Sequence, residues 1–181
     1  MEHDKTQTQP SGSLESAAIE PTKRPEPALG LDTFRDRLSP GRRLIGIDVG
    51  TKTLGIALSD VGRSIASGVE TIRRTKFRAD AARLIALVDE HAIGGVVIGF
   101  PLSLNGTEGP RAQATRAFQR NLAALIDLPM LFWDERLSTA AAERALIEGD
   151  ASRRRRAEVI DKLAATIILQ TALDRLRTAN L

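Results

Sequence analysis

The 181-residue sequence predicts an α/β domain, a mixed five-stranded sheet flanked by helices. Three observations predict it. Short apolar runs alternate with longer segments of helical periodicity. The first three runs are joined by short turns, so they pair as antiparallel neighbours. The last two are separated by helices, so they pair in parallel.

The strands and helices follow in order. "RLIGIDVG" (43–50) and "TLGIALSD" (53–60) read as a hairpin with a tight turn. "SIASGVETI" (64–72) is a third strand after a Gly-containing turn. "FRADAARLIALVDEHA" (77–92) carries apolar residues at helical spacing. "GGVVIGFP" (94–101) is fully apolar and therefore central in the sheet. "GPRAQATRAFQRNLAALI" (109–126) is a helix with Pro110 near its start, where proline is tolerated. "PMLFWDE" (129–135) is the fifth strand. "STAAAERALIEG" (138–149) is a helix, capped by Ser138 or Thr139 and stopped by Gly149. "DASRRRR" (150–156) reads as a basic loop, and "AEVIDKLAATIILQTALDRLR" (157–177) as the last and most apolar helix. The order β-β-β-α-β-α-β-α-α is the ribonuclease H-like arrangement.

Residues 1–40 read as a disordered N-terminal tail. The stretch to about residue 30 is rich in Pro, Ser, Thr and Glu, and one helical turn follows in 31–42 before Pro40-Gly41. Residues 41–181 form the folded domain. The tail holds five Lys and Arg against seven Asp and Glu, which leaves 21 basic and 16 acidic residues in the domain. An Arg-rich surface suits phosphate and nucleic acid. The absence of cysteine excludes disulfides and thiolate metal sites. No signal peptide is apparent and no run reaches the roughly 20 apolar residues of a membrane span, so a cytoplasmic protein without a membrane partner is expected.

Four places carry chemistry. Asp48 ends an apolar strand, on the face shared by Gly46 and Leu44. It either caps the turn at Gly50-Thr51 or meets a partner: Lys52, Arg42 or a divalent cation. Asp161 shares the stripe of Ala165, Ile168 and Ala172, which aims a carboxylate at the sheet, with Glu158 one turn earlier as an auxiliary. In "WDERLST" (133–139), Asp134 and Glu135 stand at a strand end beside Arg136, and alternation lets one of the two face Asp48. In "GFPLSLNGTEGP" (99–110), Asn105 and Thr107 can hold phosphate, or the segment is a plain connection. Carboxylates from three distant segments suit Mg²⁺ or Mn²⁺. Two such ions can activate water and stabilise the leaving oxygen of a phosphodiester. Zero Cys and two His exclude a thiolate or His-rich zinc site, and His91 lacks a G-x-S-x-G partner.

"GIDVGTKTLGIALSD", "VVIGFPLSLNGTEGP", "WDERLST" and "DKLAATIILQ" resemble, in order and spacing, the motifs of the YqgF family over about residues 43–172. These bacterial proteins are also described as Holliday junction resolvases (RuvX) or pre-16S rRNA nucleases. The resemblance implies a ribonuclease H-like fold related to the RuvC resolvases. It also implies that Asp48, the Asp134/Glu135 pair and Asp161 bind Mg²⁺ or Mn²⁺. The implied activity is endonucleolytic maturation of the 5′ end of pre-16S rRNA. Lys52, Asn105, Thr107, Arg136 and the Arg153–Arg154 end of the basic run are the expected nucleic-acid contacts.

Other functions remain open at this point. A DNA four-way-junction resolvase has the same acids and favours a homodimer over a monomer. A non-catalytic nucleic-acid or ribosome-associated module needs the fold without the acids. "DVGTKTLG" also resembles the phosphate loop of actin-like kinases, but those pair two such domains around a nucleotide and this chain is too short.

Overall fold

The computed structural model describes residues 26–103, 105–137 and 153–178, with side chains in the last helix from Ile160 onward. A short helix, α1 (Leu31–Asp36), precedes strands β1 (Arg43–Val49), β2 (Thr53–Ser59) and β3 (Ala66–Arg73). Helix α2 (Phe77–Glu90), strand β4 (Ile93–Phe100), helix α3 (Pro110–Ala123) and strand β5 (Met130–Asp134) follow. A 3-10 turn (Glu135–Leu137) and helix α4 (Arg153–Thr178) complete the order. The helix expected at 138–149 lies outside the described residues.

The sheet order is β3-β2-β1-β4-β5. β1 pairs antiparallel with β2, and β2 with β3; β1–β4 and β4–β5 are parallel. This is the mixed ribonuclease H-like sheet that the element order predicts. β4 is buried along its whole length, as a central strand covered on both faces must be.

Alternation divides the core in two. Ile45, Ile47 and Val49 of β1 face α2 and α3, where they meet Leu84, Leu87, Phe118 and Leu122. Leu44 and Val97 face α4 and pack with Ala165, Ile168, Leu169, Ala172 and Leu173. The α4 stripe is therefore small and apolar where it crosses the sheet. Glycines let it approach closely: a Cβ at Gly46 would stand 2.7 Å from Leu169 Cβ, and one at Gly55 would overlap the Asp161 carbonyl oxygen.

Two boundaries differ from expectation. The tail drawn through residue 40 meets the sheet layers within its described part: the buried Gln119 side chain donates to the Glu26 carbonyl (2.9 Å). The Leu29 amide donates to the Met130 carbonyl (2.7 Å), and Phe34 is fully buried against the α4 side of the sheet. A Cβ at Gly95 would lie 3.1 Å from Phe34 Cζ, so a strand glycine makes the seat for this ring. The second difference is at 153–156. Arg153 and Arg154 lie in the first turn of α4 and not in a loop, consistent with the high helix propensity of arginine. Their side chains lie outside the described residues.

Candidate active site

β1, β4 and β5 all point their carboxyl ends to one edge of the sheet, where α/β folds bind ligands. Asp48 is the penultimate residue of β1, paired with Gly55 of β2. Its face is the α4 face, and Gly55 is the residue on which the Asp161 backbone rests. Glu135 follows the last residue of β5. It reaches back over Gly99 of β4, where an added Cβ would stand 2.9 Å from Glu135 Oε1.

The electrostatics bind these groups together. Burial, then the charge of Asp161, pushes the Asp48 carboxyl up from 3.8 to about 6, against a lowering by Arg111. Burial, then the charge of Asp48, pushes Glu135 up from 4.5 to about 7. Arg111 lowers Glu135 and Asp134 raises it. Asp48 thus feels Asp161 and in turn raises Glu135, the signature of like charges sharing a low-dielectric place.

Asp134 goes elsewhere. Its carboxylate accepts from Arg136 Nε (3.0 Å), Arg136 Nη2 (2.6 Å) and the Arg136 amide (3.0 Å). Those bonds hold its carboxyl below the usual range. Between the two acids left open by alternation, the structure turns Glu135 toward Asp48 and gives Asp134 to Arg136.

The donor set fits a hard divalent ion in its chemistry. Asp48, Glu135 and Asp161 offer only oxygens, the chain has no Cys, and His91 caps α2 at the other end of the sheet. The geometry is not closed around an ion: among the described residues, no group of three or more His, Cys, Asp or Glu is arranged to hold a metal. Carboxylates of like charge repel unless a cation or a shared proton offsets that repulsion.

A family model described as "Holliday junction resolvase", RuvX, matches residues 42–175. The chain belongs to the RuvX family. A relative in Paracoccus denitrificans (strain Pd 1222), named "Putative pre-16S rRNA nuclease", is 58% identical over 147 residues, covering 81% of this chain and 93% of its own. A protein of the same name in Methylocella silvestris is 60% identical over 141 residues, covering 78% and 88%. T. thermophilus RuvC in complex with Holliday junction substrate is 14% identical with a TM-score of 0.49, covering 76% of this chain and 97% of that one.

In this RuvX chain, the loop after β4 is folded on itself. Thr107 donates through its amide (3.1 Å) and its hydroxyl (2.7 Å) to Asn105 Oδ1. Gly106 closes the turn at φ +80°, a conformation that suits glycine. A Cβ there would stand 3.9 Å from Arg136 Nη1, so the loop tip and Arg136 are neighbours. Asn105 and Thr107 are both exposed.

Lys52 lies at the exposed tip of the β1–β2 turn. Arg42, one of the suggested partners of Asp48, directly precedes β1 and so lies at the opposite end of that strand from Asp48.

Sequence reading missed Arg111, Arg73 and Arg74. Arg111 sits in the first turn of α3, and its charge reaches both Asp48 and Glu135. Its available signal was "GPRAQ": a cation placed against the unfavourable end of a helix dipole. Arg73, the last residue of β3, and Arg74, just after it, line a groove of about 650 Å³ with Thr51, Lys52, Thr53 and Asp161. No helix among the described residues is long and apolar enough to cross a membrane.

Proposed function

We propose that this RuvX-family chain is a metal-dependent endonuclease that trims the 5′ end of pre-16S rRNA. The observation that carries the reading is the Asp48–Glu135 pair. Two carboxyls are pushed up to about 6 and about 7 at the carboxyl ends of the parallel strands β1, β4 and β5, beside a cationic groove. A structural acid gains nothing from such a place; an acid that binds cations does. The names of the relatives at 58–60% identity support the choice of RNA precursor.

Asp48 and Glu135 would hold a divalent cation, Mg²⁺ or Mn²⁺, with Asp161 completing the set from α4. When bound, that cation supplies positive charge to the phosphodiester transition state and lowers the pKa of an attacking water. The chain's own residues do the rest. Without a cation, the Glu135 carboxyl, pushed up to about 7, is partly protonated near neutral pH, so loading the site releases protons. Arg111 lends a fixed positive charge to the pair and can meet a scissile phosphate. Arg136, fixed by Asp134, and Lys52 flank the acids and can orient the backbone on either side. Gly50, Thr51 and Lys52 shape the turn that ends beside Asp48.

A DNA-junction resolvase is the second reading, favoured by the description of the RuvX model. One experiment separates the two. Wild type and Asp48→Asn are given a labelled 16S precursor leader RNA and a DNA four-way junction, with Mn²⁺ or EDTA. Metal-dependent cutting of the RNA alone, lost in Asp48→Asn, is the expected result. Cutting of the junction alone rejects the rRNA reading.

A further inference from the structure

The groove beside Asp161 has its own construction. Its cations stand on one edge made rigid by backbone bonds. The Arg74 amide donates to the Lys52 carbonyl (2.9 Å), which ties the tip of the β1–β2 turn to the end of β3. Arg73 pairs with Thr53 in the β2–β3 ladder. Arg74 is spent on structure. Its Nη1 donates to the Gly50 carbonyl (2.6 Å), its Nε lies 3.9 Å from buried Asp80, and its guanidinium stands 5.9 Å over the Phe118 ring. Lys52 and Arg73 are exposed, and among the described residues neither forms an ion pair. At about 650 Å³ the groove is far larger than one ion needs, and its inner wall is Asp161, whose charge reaches Asp48.

The aromatic residues point the same way. The chain has five Phe, one Trp and no Tyr. Phe34, Phe100, Phe118 and Trp133 are buried. Phe77 is half-buried edge-on against Phe118 (5.9 Å), and Phe132 is half-buried in a stack with Phe100 (4.5 Å), with Arg116 over both of those rings. All six rings lie in described segments and none is exposed. Proteins that hold single strands stack bases on exposed rings, at about 1–3 kcal/mol per base. Helical nucleic acid is held by its phosphates and its shape. A cationic groove in a chain with no ring to offer matches the second kind of ligand.

We propose that the groove lined by Thr51, Lys52, Thr53, Arg73 and Arg74 is a subsite for the phosphate backbone of base-paired nucleic acid, leading toward Asp48. Its place beside the scissile bond rests on the nuclease reading above; its ligand class does not. Lys52 and Arg73 contact phosphates, Thr51 and Thr53 offer hydroxyls, and Arg74 holds the edge in position. Base identity is not read there.

The test measures binding without catalysis. The full chain in EDTA is titrated into labelled duplex RNA, duplex DNA and single-stranded RNA between 50 and 200 mM salt, with anisotropy as the readout. Wild type is expected to bind a duplex several-fold more tightly than the single strand, and two duplexes of different sequence alike. Each lost phosphate contact removes about 0.9 from the slope of log K against log salt. Lys52→Ala/Arg73→Ala therefore lowers the duplex slope by about 1.8, and Arg120→Ala, in the last turn of α3, leaves it unchanged. A preference for RNA or DNA duplex supports the subsite and names its sugar. If the double variant melts early, Arg73→Gln alone is read, with a loss of about 0.9. An unchanged slope overturns the subsite even if the chain cuts RNA. Single-stranded RNA bound as tightly as duplex overturns the base-paired ligand. A chain that cuts nothing but shows the slope change keeps the subsite and loses the nuclease.

Discussion

Gly99 leaves the room that the Glu135 carboxylate occupies. A Cβ at position 99 would stand 2.9 Å from Glu135 Oε1 and 2.5 Å from Ile168 Cδ1. Gly99→Ala therefore pushes on the candidate site and on α4 together. Both atoms are the far ends of flexible side chains, so the loss should sit at or below the low end of the about 1–3 kcal/mol that overpacking costs. Urea unfolding should show that loss, and cleavage at a temperature where the variant is still folded should fall well below its folded fraction. Wild-type cleavage by a fully folded Gly99→Ala chain would show that the Glu135 carboxylate does not need the room that Gly99 leaves.

The buried acids make stability depend on pH. Asp48 and Glu135 titrate higher in the fold than in the unfolded chain. Between about pH 4 and 7 the folded chain thus binds more protons, and its stability falls as pH rises. In EDTA the wild-type melting temperature should drop across that window, by an amount worth on the order of 3 kcal/mol for one of the two carboxyls and up to about 6 kcal/mol for both. Asp48→Asn should flatten the drop and be the more stable protein at pH 8. Added Mn²⁺ should raise the melting temperature at pH 8 and do little at pH 5, where the ligands are protonated.

Glu135 and Asp134 should separate cleanly on substitution. Asp134 is held by Arg136 at the surface, and breaking that pair costs about 1 kcal/mol or less. Asp134→Asn should lower cleavage by about tenfold at most, as expected for a group that supports its neighbours. Glu135→Gln should lower it by about a hundredfold or more and weaken Mn²⁺ binding, read by calorimetry. The reverse order would exchange their roles.

Arg111 lowers both raised carboxyls. Arg111→Gln removes that charge, so the acid limb of the cleavage pH profile should move to higher pH. Arg111→Lys should keep the limb in place. A limb that does not move in Arg111→Gln would show that Arg111 acts on the substrate alone.

The segment before β1 should matter for folding. Phe34 is fully buried, and truncating such a ring costs about 3–5 kcal/mol. Phe34→Ala should shift the urea midpoint accordingly without changing the acid limb of cleavage.

Some of this was readable in residue order. The alternation of Leu44, Gly46 and Asp48 places them on one face, and that face meets α4. The spacing of Asp161, Ala165, Ile168 and Ala172 marks a stripe, and its three apolar members are buried. Local periodicity carries such facts because side-chain direction repeats with the backbone. Phe34 was harder. Leu31, Phe34 and Leu38 have helical spacing, but the helix is six residues long, and the bond from Leu29 to Met130 crosses about a hundred residues. The effect of Arg111 on Asp48 is equally remote in sequence, because charge acts through space.

The acid at the end of β5 shows where residue order stops. Alternation alone says that Asp134 and Glu135 face opposite ways. Which of them meets Asp48 depends on two ladders in series, Ile47 beside Ile98 and Gly99 beside Trp133. A slip of one residue in either ladder would move every side chain of β5 to the other face. Packing of Leu131 and Trp133 against the α4 layer sets that register. Residue order determined that an acid would stand at this edge; the assembled sheet chose Glu135.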